Sequence, residues 1–191
     1  MNNNYKTAIE KYKEWKLELK RVEWSKNPNS NSVGELFNYI EDRGFTELPA
    51  SLNHHLNYQG GLLIHSVNVT DALIDMTEKL GLTWMRPESP IIVGLFHDLC
   101  KLEFYKMSPE NDRYFIHNDN PELDFGGHGM LSVVIAQQHI KLTEEEMYCI
   151  RFHMGAYEQK DWSKFDAAIR NYPNVLYTHT ADMIASKILE R

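Results

Sequence analysis

Along residues 5–24 the apolar side chains Ile9, Tyr12, Trp15, Leu19 and Val22 recur three and four positions apart, with Lys and Glu between them. That spacing predicts an amphipathic helix. "SKNPNSNS" (25–32) has no such period and reads as a linker. Ser32, followed three residues later by Glu35, is the signature of a capping box for a helix that runs to about residue 43 and ends at Gly44. "LPASLNHHLNYQGG" is a connector. Leu62, Val69, Leu73, Met76 and Leu80 then resume helical spacing until Gly81. Residues 88–103 form a more fully apolar helix, expected to be central. In "EFYKMSPENDRYFIHN" two aromatic-rich pieces flank "SPEND", which predicts a β-hairpin. Further helices are expected at about 127–140, at 143–154 (Thr143 with Glu146 as a second capping box) and at 174–190. The stretch 155–173 reads as irregular, with a short helix at 164–170. The fold class is therefore all-α (mostly α), a helical bundle with one small β-hairpin, with no internal repeat.

Composition adds limits. At 191 residues the chain is long enough to bury a real core. It divides at the connector into an N-terminal helical extension, 1–52, packed on a main domain, 53–191. A formal charge of −7 argues against holding duplex nucleic acid by phosphate neutralisation alone, although metal ions reverse the sign inside a cleft. Two cysteines make no disulfide framework. "MNNNYKTAIEKYKEW" lacks a signal-peptide core, and "IIVGLF" is too short to span a bilayer. A cytoplasmic protein with reduced thiols and no membrane partner is expected.

Nine histidines are the oddity. His65 falls near the start of the third expected helix, His97 and Asp98 in the last part of the fourth, and His128 at the start of the fifth after two glycines. His153 ends the sixth, and Asp182 lies within the last. A lone histidine on an apolar helix face is ordinarily a satisfied core or cap residue. Here five helices each offer a His- or Asp-bearing position flanked by apolar residues, and buried charges need partners. Two cations would satisfy all of them together. Neighbours on a helix diverge by about 100°, so His97 and Asp98 reach an ion from two sides. An imidazole has one free lone pair, whereas a carboxylate has two oxygens, which makes Asp98 the natural bridge between two ions. Lys101, three residues beyond Asp98, brings an ammonium to the same face, where it suits an anionic oxygen.

The ordered pieces "GGLLIHSVNV", "GLFHDLCK", "GGHGMLSV", "RFHMG" and "LYTHTADMIASKI" resemble the HD superfamily of metal-dependent phosphohydrolases from residue 53 to about 188. They are closest in texture to the HD domains of bacterial 3′→5′ exoribonucleases. The N-terminal 52 residues read as helical and as too few for the OB-type nucleic-acid-binding domain that precedes those domains, and Cys100 stands where a Gly is usual. The resemblance implies two divalent metal ions, with Fe, Mn, Co, Ni and Zn not distinguished. His65, His97, Asp98 and Asp182 would hold one, and Asp98, His128 and His153 the other, with a water or hydroxide bridging them. It implies hydrolysis of a phosphomonoester or phosphodiester of a nucleotide or short oligonucleotide, with Asp98, Lys101 and His179 catalytic. Lys101, His54, His55, Tyr157 and Trp162 are the candidate substrate-binding residues. Tyr157, Trp162 and Phe165 would stack on a base or hold their loop down, and the hairpin would form a rim or lid. His117 and His139 read as surface or structural residues. The competing functions are a 3′→5′ exonuclease on single-stranded nucleic acid, a mixed-valence di-iron HD oxygenase, and a non-catalytic binding module. The partner is a small phosphate-bearing anion, bound by a monomer or homodimer.

Overall fold

A computed structural model describes residues 3–22, 24, 32–108, 115–117, 126–155 and 162–190. Helix α1 (Asn3–Leu19) buries Ala8, Tyr12, Trp15 and Leu19, four positions on one stripe. Tyr12 lies 5.7 Å, ring to ring, from both Phe37 and Phe45, and its hydroxyl donates to Glu41 at 2.9 Å. Helix α2 (Val33–Asp42) starts at the expected capping box. Ser32 Oγ accepts from the Glu35 amide, and the Glu35 carboxylate accepts from the Ser32 amide. Gly44 then takes a left-handed φ of 86° that ends the run.

Helix α3 (Gly61–Leu80) and helix α4 (Ser89–Phe96) make the central pair. Every residue of α4 is buried, and at Gly94 it packs tightly on α3. A Cβ there would sit 2.4 Å from Thr70 Oγ1 and 2.6 Å from Thr70 Cα. Around this pair stand α6 (His128–Gln137), α7 (Glu144–Arg151), α8 (Trp162–Asn171) and α9 (Asn174–Ile184). Thr143 and Glu146 close the second capping box, on α7. Buried Glu146 also accepts from Ser89 Oγ at 2.7 Å and pairs with Arg86 at 3.0 Å, so it ties the start of α4 to α7. Glu145 accepts from Asn174 at 2.8 Å and ties α7 to α9. Strands β1 (Tyr105–Met107) and β2 (Phe115–His117) pair antiparallel, Lys106 opposite Ile116. The "SPEND" tip, apart from Ser108, lies outside the described residues, as does Tyr157.

The molecule is mostly α, with a two-stranded sheet, as expected. Three elements differ from expectation. The helix expected over 88–103 is broken: α4 stops at Phe96, a turn covers His97–Cys100, and a short helix α5 (Lys101–Phe104) follows. The expected helix 143–154 ends at Arg151, which leaves His153 in the turn beyond it. The last helix is not uniform, because α9 passes at Ala185–Leu189 into a π-helical turn. The short helix expected at 164–170 is present as α8, two residues longer at its start and one at its end. One continuous core runs from Trp15 and Phe37 through Ile92 and Phe96 to Val175. Among the described residues no helix is long and apolar enough to cross a membrane.

Candidate metal centre

The break after α4 builds the centre. In a continuing helix the Gly94 carbonyl would accept from the Asp98 amide. Instead it takes the side chain of His97, whose Nδ1 lies 2.9 Å away. A carbonyl cannot donate, so Nδ1 carries the proton and Nε2 keeps a free lone pair. The turn is then held from outside, because the Cys100 amide donates to Ser132 Oγ on α6 at 3.0 Å. Ser132 in turn donates to the His128 carbonyl at 3.1 Å. The start of α6 is thus fixed to the turn that carries His97 and Asp98.

His153 repeats the device. Its Nδ1–H donates to the Ile150 carbonyl at 2.7 Å, which leaves Nε2 buried without a hydrogen-bond partner and 3.5 Å from Asp98 Oδ1. His65, on α3, directs Nδ1 at Glu190, 3.1 Å from each carboxylate oxygen. Its Nε2 lies 3.3 Å from Asp182 Oδ1, 3.5 Å from Asp98 Oδ2 and 3.2 Å from Nε2 of His97. Two ring nitrogens whose partners on the far side both call for Nδ1–H therefore face each other inside hydrogen-bond distance. Lone pairs in that position repel unless a proton or a cation lies between them. Asp98 gives Oδ2 to His97 at 3.3 Å and to Lys101 at 2.5 Å, and Oδ1 to His153.

The ligand atoms of His65, His97 and Asp182 lie within 4.8 Å of one another, as do those of His97, Asp98 and His153. Histidines that bind metals tie their second ring nitrogen to a carbonyl or carboxylate, and all three rings here do so. The donor set fits a divalent cation, and the orphaned Nε2 of His153 is the atom such an ion would satisfy.

Electrostatics in the metal-free centre follow from burial and pairing. Burial pushes the Asp98 carboxyl up, but the Lys101 ammonium and then His97 outweigh it and hold it well below the usual range. Burial opposes the charge on Lys101, and Asp98 overcomes it, raising Lys101. For His65 burial is again overcome, by hydrogen bonds to Asp182 and Glu190, and its pKa rises to about 9. His97 is lowered, chiefly by burial.

The remaining expected site residues fall as follows. His128 is exposed, its ring 4.8 Å from that of Phe104, and it belongs to none of the three clusters of candidate ligand atoms, the third being His55, His65 and Glu190. His55 packs its ring 5.0 Å from His65, with Nε2 3.7 Å from Glu190, and burial lowers it to about 4. His54 is exposed on the same connector. Trp162 is 73% exposed at the start of α8, while Phe165 is buried and packs edge-on to His179 at 5.5 Å. His179 donates from Nδ1 to the His153 carbonyl at 2.7 Å, so it braces the His153 turn. His117 is exposed and His139 half-buried against Tyr39. Glu190 was missed by the sequence reading. It sits two helical turns after Asp182, and no motif marks it.

No family model matches the chain, and no solved structure matches it. Over 169 residues, 85% of this chain, it is 32% identical to a curated protein of Methanocaldococcus jannaschii named dihydroneopterin 2′,3′-cyclic phosphate phosphodiesterase. The chain spans 63% of that relative's length.

Proposed function

We propose that this chain is a divalent-metal-dependent phosphohydrolase of the HD type that cleaves a phosphodiester bond in a small, nucleotide-like substrate. The observation that carries this reading is the convergence of three Nε2 atoms, from His65, His97 and His153, on Asp98 and Asp182, with each Nδ1 tied away from the centre. His65, His97, Asp98 and Asp182 would hold one ion and Asp98 and His153 a second, with His128, exposed at the start of α6 and outside the converging groups, kept as the second ion's further ligand on the resemblance alone. Asp98 turns one oxygen toward each side, which supports its place between them. Divalent cations in such a cluster neutralise phosphoryl oxygens and lower the pKa of water to near neutrality.

The chain's own groups do the rest. Lys101 holds a fixed ammonium beside Asp98, suited to a non-bridging phosphate oxygen. His55 stands on the connector side as a neutral imidazole for substrate contact. Because the Nδ1–H of His179 braces the His153 carbonyl, we assign His179 to positioning that turn. The similarity to a phosphodiesterase named for a cyclic phosphate supports a cyclic phosphodiester as the substrate class.

The test is a screen of protein stripped of metal and reloaded separately with Fe, Mn, Co, Ni and Zn. Each form is assayed on 2′,3′-cyclic nucleotides, dihydroneopterin cyclic phosphate and short RNA. Metal-dependent opening of the cyclic phosphates is expected. Metal-loaded protein that opens none of them overturns the substrate class, and shortening of RNA from its ends would replace it with the exonuclease. Lys101→Met is expected to raise KM or lower kcat at least tenfold with metal content unchanged.

A further inference from the structure

Glu190 closes the far side of the centre. Its side chain is 1% exposed, and both of its oxygens lie 3.1 Å from His65 Nδ1. Asn68, three residues along α3 from His65, donates from Nδ2 to Oε1 at 2.9 Å and fixes the carboxylate in turn. His65 is therefore gripped at both ring nitrogens by carboxylates from one C-terminal segment, Asp182 at Nε2 and Glu190 at Nδ1.

A regular helix would not allow this. At about 100° per residue, eight residues leave Glu190 about 80° from the direction of Asp182. The π-helical turn winds less per residue and over its five residues takes back roughly 90°. It is closed by the Glu190 amide donating to the Ala185 carbonyl at 3.1 Å, five residues earlier. The turn thus brings both carboxylates to one face.

We propose that Glu190 is a positioning residue of the metal centre, holding His65 in its Nδ1–H form so that the Nε2 lone pair is presented to the ion, and that the π-helical turn is the device that delivers it. This rests on the metal-binding part of the function proposed above. A carboxylate behind a ligating imidazole fixes the ring's tautomer and raises its basicity.

The experiment compares wild type, Glu190→Ala and Glu190→Gln by chelator-competition measurement of divalent-metal affinity and by ¹⁵N NMR of the His65 ring in the metal-free state at about pH 10, above the value of about 9 to which its pairing raises the ring, so that a neutral tautomer is read. Glu190→Ala is expected to weaken affinity 10- to 100-fold and to release the ring into mixed tautomers. Glu190→Gln, whose amide oxygen still accepts from Nδ1–H, is expected to recover most of the affinity. Wild-type affinity with a fixed tautomer in Glu190→Ala overturns the proposal. Should Glu190→Ala fail to fold, Asn68→Ala decides: a several-fold weaker affinity supports the assignment and an unchanged one refutes it. If wild type binds no divalent cation, the metal-binding reading itself falls, and the NMR arm still decides whether Glu190 sets the His65 tautomer.

Discussion

At the scale of single residues, the centre is specified by tautomers as much as by positions. His97 and His153 each turn Nδ1–H back onto the carbonyl three residues earlier, so both rings must present Nε2. Asp98→Ala removes the group shared by both assigned ions, and His128→Ala touches only one. Elemental analysis after dialysis is therefore expected to find under 0.2 metal per chain in the first variant and about one in the second, against about two in wild type; equal loading of the two variants would remove Asp98 from the bridge. The pH dependence follows from the same side chains. In the metal-free protein His65 is raised to about 9, so its contribution to stability is complete below its ordinary value of about 6.5 and is lost as pH rises through 9. Asp98 and Glu190 are depressed, so theirs is present above about 4 and is lost only as pH falls through their lowered values. Calorimetry of chelator-treated protein should show Tm falling between pH 6.5 and 9, while a metal, which competes with that proton, should raise Tm more at pH 9 than at pH 6.5. A flat metal-free Tm across this window would contradict the His65 pairing. His65, His97, Asp98, His153 and Asp182 were legible because their residue types and order carry the chemistry. The partners of their second nitrogens were not, because two are backbone carbonyls that any sequence supplies.

At the scale of elements, helix starts and stops that depend on local chemistry were readable: the Ser32 and Thr143 capping boxes and the glycine ends at Gly44 and Gly81 all occur. The break at His97 was not, since it needs Ser132, 32 residues from Cys100, to take a freed amide. Nor was the position of Glu190, because helical periodicity assumes a uniform turn and the π segment is not uniform. The α3–α4 contact offers a sharp test. At Gly94 an added methyl would meet Thr70 Oγ1 at 2.4 Å and Thr70 Cα at 2.6 Å, and the second of these is backbone. Gly94→Ala is therefore expected to destabilise by about 1–3 kcal/mol through overpacking, and to weaken metal binding as well, because the Gly94 carbonyl orients His97. Adding Thr70→Ala removes the hydroxyl but not the Cα, so denaturant titration of the double variant should show only partial recovery. Full recovery would mean that the side chain, not the backbone, sets the approach.

At the scale of the whole molecule, the formal charge of −7 and the Asp98, Asp182 and Glu190 carboxylates set about His65 leave an anionic substrate little reason to enter until cations are bound. Metal binding and folding are then linked, and the question is how far the linked unit extends. The expected division at residue 52 sets a helical extension on a main domain, and side chains from both share one core. Tyr12 packs on Phe37, Phe37 lies 5.8 Å from Phe96, and Phe96 precedes His97 directly. Lys11 reaches Asp71 on α3 at 2.6 Å, six residues beyond His65. Trp15→Ala empties a buried indole site on α1, a loss of about 3–5 kcal/mol in a well-packed core, out of a total of about 5–15 kcal/mol for a domain. If the unit is single, far-UV circular dichroism and release of metal to a chromogenic chelator will show one coincident thermal transition in wild type, and both will move down together in Trp15→Ala. A bound ion at a thousandfold excess over its Kd adds about 4.1 kcal/mol, enough to offset most of that loss, so added metal should restore the variant's melting curve in both signals. Metal release that stays at the wild-type temperature while the helical signal falls early would show that residues 1–52 unfold on their own, and that the metal centre stands without them.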